Sequence, residues 1–114
     1  MKIAPKHFTI KEKALFEQLI TLLADLRHPQ EVRYFLSDFL TEAEQLVLSK
    51  RLAILWELRA EKSYEEIKQE LGVSSATISS ASQFKEKPGI QSALAKIALD
   101  KKIADLLTKV GIFT

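Results

Sequence analysis

The chain has 114 residues, of which 46% are hydrophobic and 28% charged, and its formal net charge is +2. This composition is that of a globular protein, and the length suits a single domain over 1–114. The absence of cysteine excludes disulfides and thiolate chemistry, and the weak positive charge permits an anionic partner without requiring one.

The first third of the sequence predicts two helices. Residues 1–9 are interpreted as a flexible arm, and apolar residues follow a helical period from Ile10 onward. His28 and Pro29 end the first helix, and Pro29 suits the first turn of the next. We therefore expect a helical pair that ends shortly before Thr41.

A long third helix is predicted from Thr41 to about Ala60. It begins with a capping box, in which the side chains of Thr41 and Glu44 each bond the other's backbone amide. Its main apolar face includes Leu48, Leu52, Leu55 and Trp56. Four more apolar residues spread round other sides, which favours contacts with more than one neighbour. They are Leu46, Val47, Ile54 and Leu58.

Residues 63–83 have the spacing of a helix-turn-helix. Ser63 and Glu66 form a second capping box, Gly72 suits the left-handed end of a short helix, and Ser74 can cap another. Apolar residues on the facing sides would hold the two short helices at a fixed angle. They are Ile67, Leu71, Val73 and Ile78.

A last helix follows the Pro88–Gly89 pair, and no segment alternates like a strand. The fold class is therefore all-α, with about six helices. No apolar run reaches the length of a signal peptide or a membrane span, so a cytoplasmic protein is expected.

The second short helix consists almost entirely of Ser, Ala and Thr. Small residues would let its backbone approach base edges in a DNA groove, where hydroxyls and methyl groups can contact bases. The alternative is a helix that packs tightly against a protein neighbour, and this stretch alone leaves both open. The candidate DNA contacts are Lys68, Ser74, Ser75, Ala76, Thr77, Ser79, Ser80 and Lys85.

The charge around this segment is nearly balanced. Residues 61–87 carry four lysines and five glutamates. Contacts with phosphate would therefore depend on a few cations, chiefly Lys68, Lys85 and Lys87, and we expect a modest salt dependence.

The segment from Phe39 to Gly89 resembles the core of the tryptophan repressor superfamily. The shared features are Leu40-Thr41, Arg51, the run Ser63–Gly72, and Ala-Thr-Ile-Ser at 76–79. The resemblance implies a six-helix subunit that intertwines with a second copy to form a homodimer, binds double-stranded DNA and regulates transcription. It also implies that the second short helix enters the major groove with Ser75, Ala76 and Ser79 facing bases.

The resemblance also predicts an effector pocket formed by Thr41, Arg51, Ser80 and Phe84. Thr41 and Arg51 match a threonine and an arginine that hold tryptophan in the family, but Ser80 stands in place of a second arginine. A hydroxyl does not replace a guanidinium, which argues against L-tryptophan and leaves another co-repressor open. Phe84 either fills the space of the indole or packs in the local core.

Two further function classes are a protein-interaction module and an enzyme. A helical protein-interaction module could use the same fold without binding DNA, and the acidic residues near the helix-turn-helix favour it. An enzyme has no support, because Glu65, Glu66 and Glu70 suit a solvated helix face and no nucleophile triad or phosphate loop is present. His7 and His28 have no ligand partners at useful spacing, so no metal site is expected.

Overall fold

The computed structural model describes residues 7–110, and these residues form helices and no strands. The predicted all-α class with six helices is confirmed. Residues 1–6 of the predicted arm lie outside the described residues, and 7–9 are non-helical. The helices are α1 (Ile10–Asp25), α2 (Pro29–Phe39), α3 (Glu42–Arg59), α4 (Tyr64–Leu71), α5 (Ser75–Ser82) and α6 (Pro88–Lys109).

Local capping explains where several of these helices begin. The amide of Glu44 donates to Thr41 Oγ1 at 3.1 Å and the amide of Thr41 donates to Glu44 Oε1 at 2.9 Å, as the sequence predicts. Ser63 and Glu66 form the same reciprocal pair at the start of α4. These backbone hydrogen bonds lower the pKa of Glu44 and of Glu66, because they favour the charged carboxylate.

The chain divides into two compact units, Met1–Gln45 and Leu46–Thr114. In the first unit, the Gln45 side-chain amide donates to the Ser37 carbonyl at 3.3 Å and to the Leu40 carbonyl at 3.0 Å, which ties the end of α2 to the start of α3.

The first unit leaves its large apolar side chains exposed or only partly covered. None of its described residues is buried. Aromatic pairs form locally, with ring centroids 5.6 Å apart for Phe8 and Phe16 and 4.9 Å apart for Phe35 and Phe39. Large apolar side chains still face solvent, and they include Phe8, Ile10, Leu15, Phe16, Ile20, Leu22, Leu23, Tyr34 and Phe39.

The second unit has a small core that joins α3, α4 and α5. Ile54, Ile67 and Ile78 have no exposed surface, and Ala81 packs with them. The predicted packing of the helix-turn-helix is confirmed, because the partly buried residues around this core include Leu58, Leu71 and Val73.

The long helix α3 presents its apolar residues to different environments. Ile54 and Leu55 are buried, whereas Leu48 and Leu52 remain nearly half exposed. The apolar spread predicted for this helix therefore serves the core of the second unit on one side and leaves another side uncovered. No helix of the described residues combines the length and the apolar character that crossing a membrane requires.

Candidate nucleic-acid interface

The turn between α4 and α5 depends on Gly72. Its backbone is left-handed, with φ 63° and ψ 43°, and its amide donates to the Lys68 carbonyl at 2.9 Å. Glycine adopts this conformation without the steric cost that a β-carbon brings. The helix therefore ends at Leu71 and the chain turns directly into α5.

Ser74 starts α5 as its N-cap. The amide of Thr77 donates to Ser74 Oγ at 3.1 Å, and the two side-chain hydroxyl oxygens lie 2.9 Å apart. Both residues are exposed candidate DNA contacts, but their hydroxyls already bond each other. A base or phosphate that bonds either hydroxyl would share it with the cap.

α5 has a buried side and a bare side. Ile78 and Ala81 point into the core, whereas Ser75, Ala76 and Ser79 are exposed. None of the eight residues of this helix is charged. The exposed side is a shallow surface of hydroxyl and methyl groups, which suits close approach to base edges.

Gln83 extends this bare side and was not among the sequence candidates. It is exposed, caps the C-terminal end of α5, and follows Ser79 by four residues. Residues four apart lie on the same side of a helix, so the helical period could have identified it. Its amide offers both a donor and an acceptor to a base edge.

The candidate phosphate contacts differ in their surroundings. Lys68 Nζ lies 3.5 Å from Glu65 Oε1, and the lysine side chain is 37% exposed. Lys85 and Lys87 are exposed in the turn between α5 and α6. Lys68 therefore shares its charge with a carboxylate on its own helix.

Three of the four effector-pocket candidates line one cavity of about 360 Å³ in the second unit: Arg51, Ser80 and Phe84. Thr41 is not part of this wall; it belongs to the first unit, where it caps α3. Lys50 also lines the cavity and was missed by sequence reasoning, although it adjoins Arg51.

Phe84 is a partly exposed wall of this cavity rather than part of the core. Its side chain is 39% exposed. The guanidinium carbon of Arg51 lies 5.9 Å from the centroid of its ring, and Lys87 Nζ lies 5.8 Å from the same centroid. Both distances suit cation–π contacts, so Arg51 already has an aromatic partner within the chain.

Within residues 7–110, no group of three or more His, Cys, Asp or Glu side chains is arranged to hold a metal ion. His7 and His28 are both exposed.

Comparison with known proteins places the whole helix-turn-helix within one family. A family model described as Trp repressor protein matches residues 14–97. No curated protein and no solved structure matches the chain. The matched segment contains α2 to α5 in full, together with most of α1 and the first part of α6. Because this match covers well over half of the sequence, the chain belongs to the Trp repressor protein family, a family of DNA-binding regulators rather than enzymes.

Proposed function

We propose that this chain is a sequence-specific, DNA-binding transcriptional regulator of the repressor type, which acts through the helix-turn-helix at residues 63–83. The observation that supports this most strongly is the two-sided character of α5. Ile78 anchors one side in the core, and the other side exposes only small side chains around Ser75, Ala76 and Ser79. A helix held in this way can lie in a major groove without side-chain obstruction.

The contacts divide into base and phosphate contacts. Ser75, Ala76 and Ser79 face bases, Thr77 and Ser80 flank them, and the start of α5 at Ser74 offers backbone amides to phosphate. Lys68 and Lys85 contact phosphates, with Lys87 beside them. With only a few cations in each subunit, the slope of log affinity against log salt is shallow for a DNA binder.

The functional form is a homodimer. The first unit, in which no described residue is buried, exposes apolar side chains along α1 and α2. A chain of this size gains stability when such surfaces are covered. A second copy supplies the same apolar surface, and a two-fold axis would present two helix-turn-helices to a symmetric site.

Two substitutions test the DNA surface. Ser75→Asp or Ser79→Asp places a negative charge on the bare side of α5, and we expect binding to duplex DNA to be lost while the fold is retained. Ser92→Asp is the matched control, because Ser92 is an exposed serine on α6 outside the helix-turn-helix. Unchanged DNA affinity in both α5 variants, measured by fluorescence anisotropy, would show that this side does not face DNA.

Selection of bound duplexes from a random pool tests specificity and symmetry together. We expect an enriched sequence with two-fold symmetry, since a homodimer reads two equivalent half-sites. Enrichment of an asymmetric sequence, or of none, would contradict the proposed homodimeric reading.

A protein-interaction module is the alternative, and the charges of α4 favour it. Glu65 is 78% exposed and pairs with Lys68, and Glu66 and Glu70 lie on the same short helix. Binding to random duplex DNA at two salt concentrations separates the two functions. A DNA binder loses affinity as salt rises, because counterions are released from the duplex, and the few cations here make that loss modest. An interaction module shows no such binding.

We also propose that DNA binding does not require L-tryptophan. Ser80 lines the cavity but supplies a hydroxyl and not a guanidinium. Arg51 is already in contact with the Phe84 ring. Titration calorimetry with L-tryptophan should give no binding at micromolar concentrations, and DNA affinity should be the same with and without it. Micromolar binding of tryptophan would overturn the proposal, and Phe84→Ala would then show whether the ring restricts the site.

A further inference from the structure

Gln83 has the longest side chain of α5 and its two caps, and it is exposed. Its backbone amide donates to the Ala81 carbonyl, but within residues 7–110 no hydrogen bond occupies its side-chain amide. The nearby Gln91 differs, because its side-chain amide donates to the Lys85 carbonyl. The Gln83 side chain therefore keeps both its donors and its acceptor available to a ligand.

The helical period places Gln83 in the middle of the exposed side of α5. Its backbone is still helical, with φ −64° and ψ −20°, so the rotation of about 100° per residue continues as far as this position. The mean direction of Ile78 and Ala81 defines the buried side of the helix. Both Ala76 and Gln83 lie within about 10° of the opposite direction, and Gln83 is about two turns further along.

Side-chain length increases along this exposed side. Ala76 has only a methyl group and Ser79 a short hydroxyl, whereas the amide of Gln83 follows two methylene groups. A recognition helix contacts base edges mainly through its N-terminal residues, so its C-terminal end lies further from the bases. At that end a long side chain can still reach a base edge that a serine does not.

The chemistry of the amide selects adenine. In the major groove adenine presents an acceptor, N7, beside a donor, the N6 amino group, and a glutamine amide bonds both at once. Guanine presents two acceptors, so the amide oxygen of Gln83 would face an oxygen or a nitrogen without a hydrogen. The hydroxyls of Ser75 and Ser79 both donate and accept, and they therefore discriminate less between bases.

We propose that Gln83 determines the sequence specificity of this chain at one base pair in each half-site, where it recognises adenine through a bidentate contact with N7 and N6. This inference rests on the DNA-binding function proposed above. It adds to the contacts of Ser75, Ala76 and Ser79 a residue that distinguishes one base from the other three.

Fluorescence anisotropy with the duplex that the unmodified chain selects, and with every single base-pair change in it, tests this contact. Gln83→Ala should lose at least about fivefold of the preference for adenine at one position of each half-site. The preferences at the other positions should remain. Weakening that is uniform over all duplexes would indicate a phosphate contact instead, and either that result or an unchanged preference would overturn the proposal.

Gln69→Ala is the matched control for the anisotropy measurement. Gln69 is an exposed glutamine on α4, outside the helix proposed to enter the groove. Any contact that it makes with the DNA backbone carries no direct sequence information, so this variant should keep the preference for adenine. Loss of the same preference in Gln69→Ala would contradict the assignment to Gln83.

Gln83→Lys tests the assignment by a change of specificity. Lysine donates to both N7 and O6 of guanine, so selection with this variant should enrich guanine at the position where the unmodified chain selects adenine. Circular dichroism should show the same helix content in both proteins, because the side chain of Gln83 is exposed. Selection of adenine by the lysine variant would overturn the proposal.

These results separate the inference from the proposed function. If the unmodified chain selects a duplex sequence and the Gln83 variants keep all its base preferences, the regulator function stands and the inference is wrong. If the unmodified chain binds no duplex DNA, both are wrong.

Discussion

Lys62 Nζ lies 2.8 Å from Glu57 Oε2 and 2.9 Å from Glu70 Oε1. Glu57 is near the end of α3 and Glu70 near the end of α4, so one ammonium ties the two helices together. The two carboxylates raise the pKa of Lys62, and the lysine in turn lowers the pKa of Glu70. The bridge holds the first helix of the helix-turn-helix against the helix that leads into it.

Three glutamates, two in capping boxes and one in the Lys62 bridge, predict that the chain loses stability in acid. The pKa values of Glu44, Glu66 and Glu70 are lowered in the folded chain. Their contribution is present above the unfolded pKa, about 4.3, and is lost as the pH falls through the lowered folded values. Urea unfolding at several pH values should therefore show the free energy of unfolding falling below about pH 4.

The variant Glu66→Gln provides the control for the acid effect. It keeps the shape of the capping side chain but removes one titrating group, so its stability should fall less steeply between pH 5 and pH 3 than that of the unmodified chain. The same slope in both proteins would show that the capping box does not contribute to the pH dependence.

Ser74→Ala should destabilise the chain by about 1 kcal/mol, because the Thr77 amide loses its capping acceptor. Ser79→Ala is the matched control, since Ser79 is an exposed serine in the interior of the same helix. Chemical denaturation should show a change close to zero for the control. If the two variants are equally stable, the hydroxyl of Ser74 does not cap α5.

Gly72→Ala should cost about 1 kcal/mol, because a residue with a β-carbon is strained at φ 63°. No atom lies within 4 Å of the added β-carbon, so the cost comes from the backbone and not from a clash. Gly89→Ala has equal space but no positive φ, and it should be neutral or stabilising by up to about 1 kcal/mol. Thermal unfolding of both variants measures this difference. Equal shifts of the midpoint temperature in the two variants would contradict the interpretation.

Glu65→Gln should strengthen binding to duplex DNA and steepen its salt dependence. The carboxylate of Glu65 lies 3.5 Å from Lys68 Nζ and competes with phosphate for that cation. One additional free cation at the phosphates increases the slope of log affinity against log salt by up to about one unit. Lys68→Met should have the opposite effect. Equal affinities of the two variants for duplex DNA would show that Lys68 does not contact the DNA.

Leu52→Asp should disrupt the proposed homodimer. Leu52 is 45% exposed in the single chain, so a charge at this position is tolerated when the chain is alone and is unfavourable once a partner covers it. We expect a folded or partly folded monomer by sedimentation and circular dichroism. A stable dimer of this variant would show that Leu52 is not in the contact between copies.

The helix starts and the helix-turn-helix could be predicted because the interactions that produce them are local. The Thr41–Glu44 and Ser63–Glu66 boxes join residues three apart, and Gly72 ends α4 through its own backbone. Ile67 and Ile78 share the core because each lies on the apolar side of a short amphipathic helix.

Residues distant in sequence could not be brought together by such reasoning. The Lys62–Glu70 contact spans eight residues and a helix start, and the Arg51–Phe84 contact links α3 to the turn after α5. Periodicity also placed Leu52 on the main apolar face of α3 and Ile54 on another side, whereas the structure buries Ile54 and leaves Leu52 45% exposed.

The sequence by itself determined the helices, the caps of α3, α4 and α5, and the turn, because these depend on neighbours within about one helical turn. It also determined the family, through a match that extends over residues 14–97. Only the tertiary structure decided which apolar sides are buried, which cations already have partners, and that the outer side of α5 is bare. These properties arise from the way separate helices pack, and packing depends on the positions of side chains that the chain order does not place next to each other.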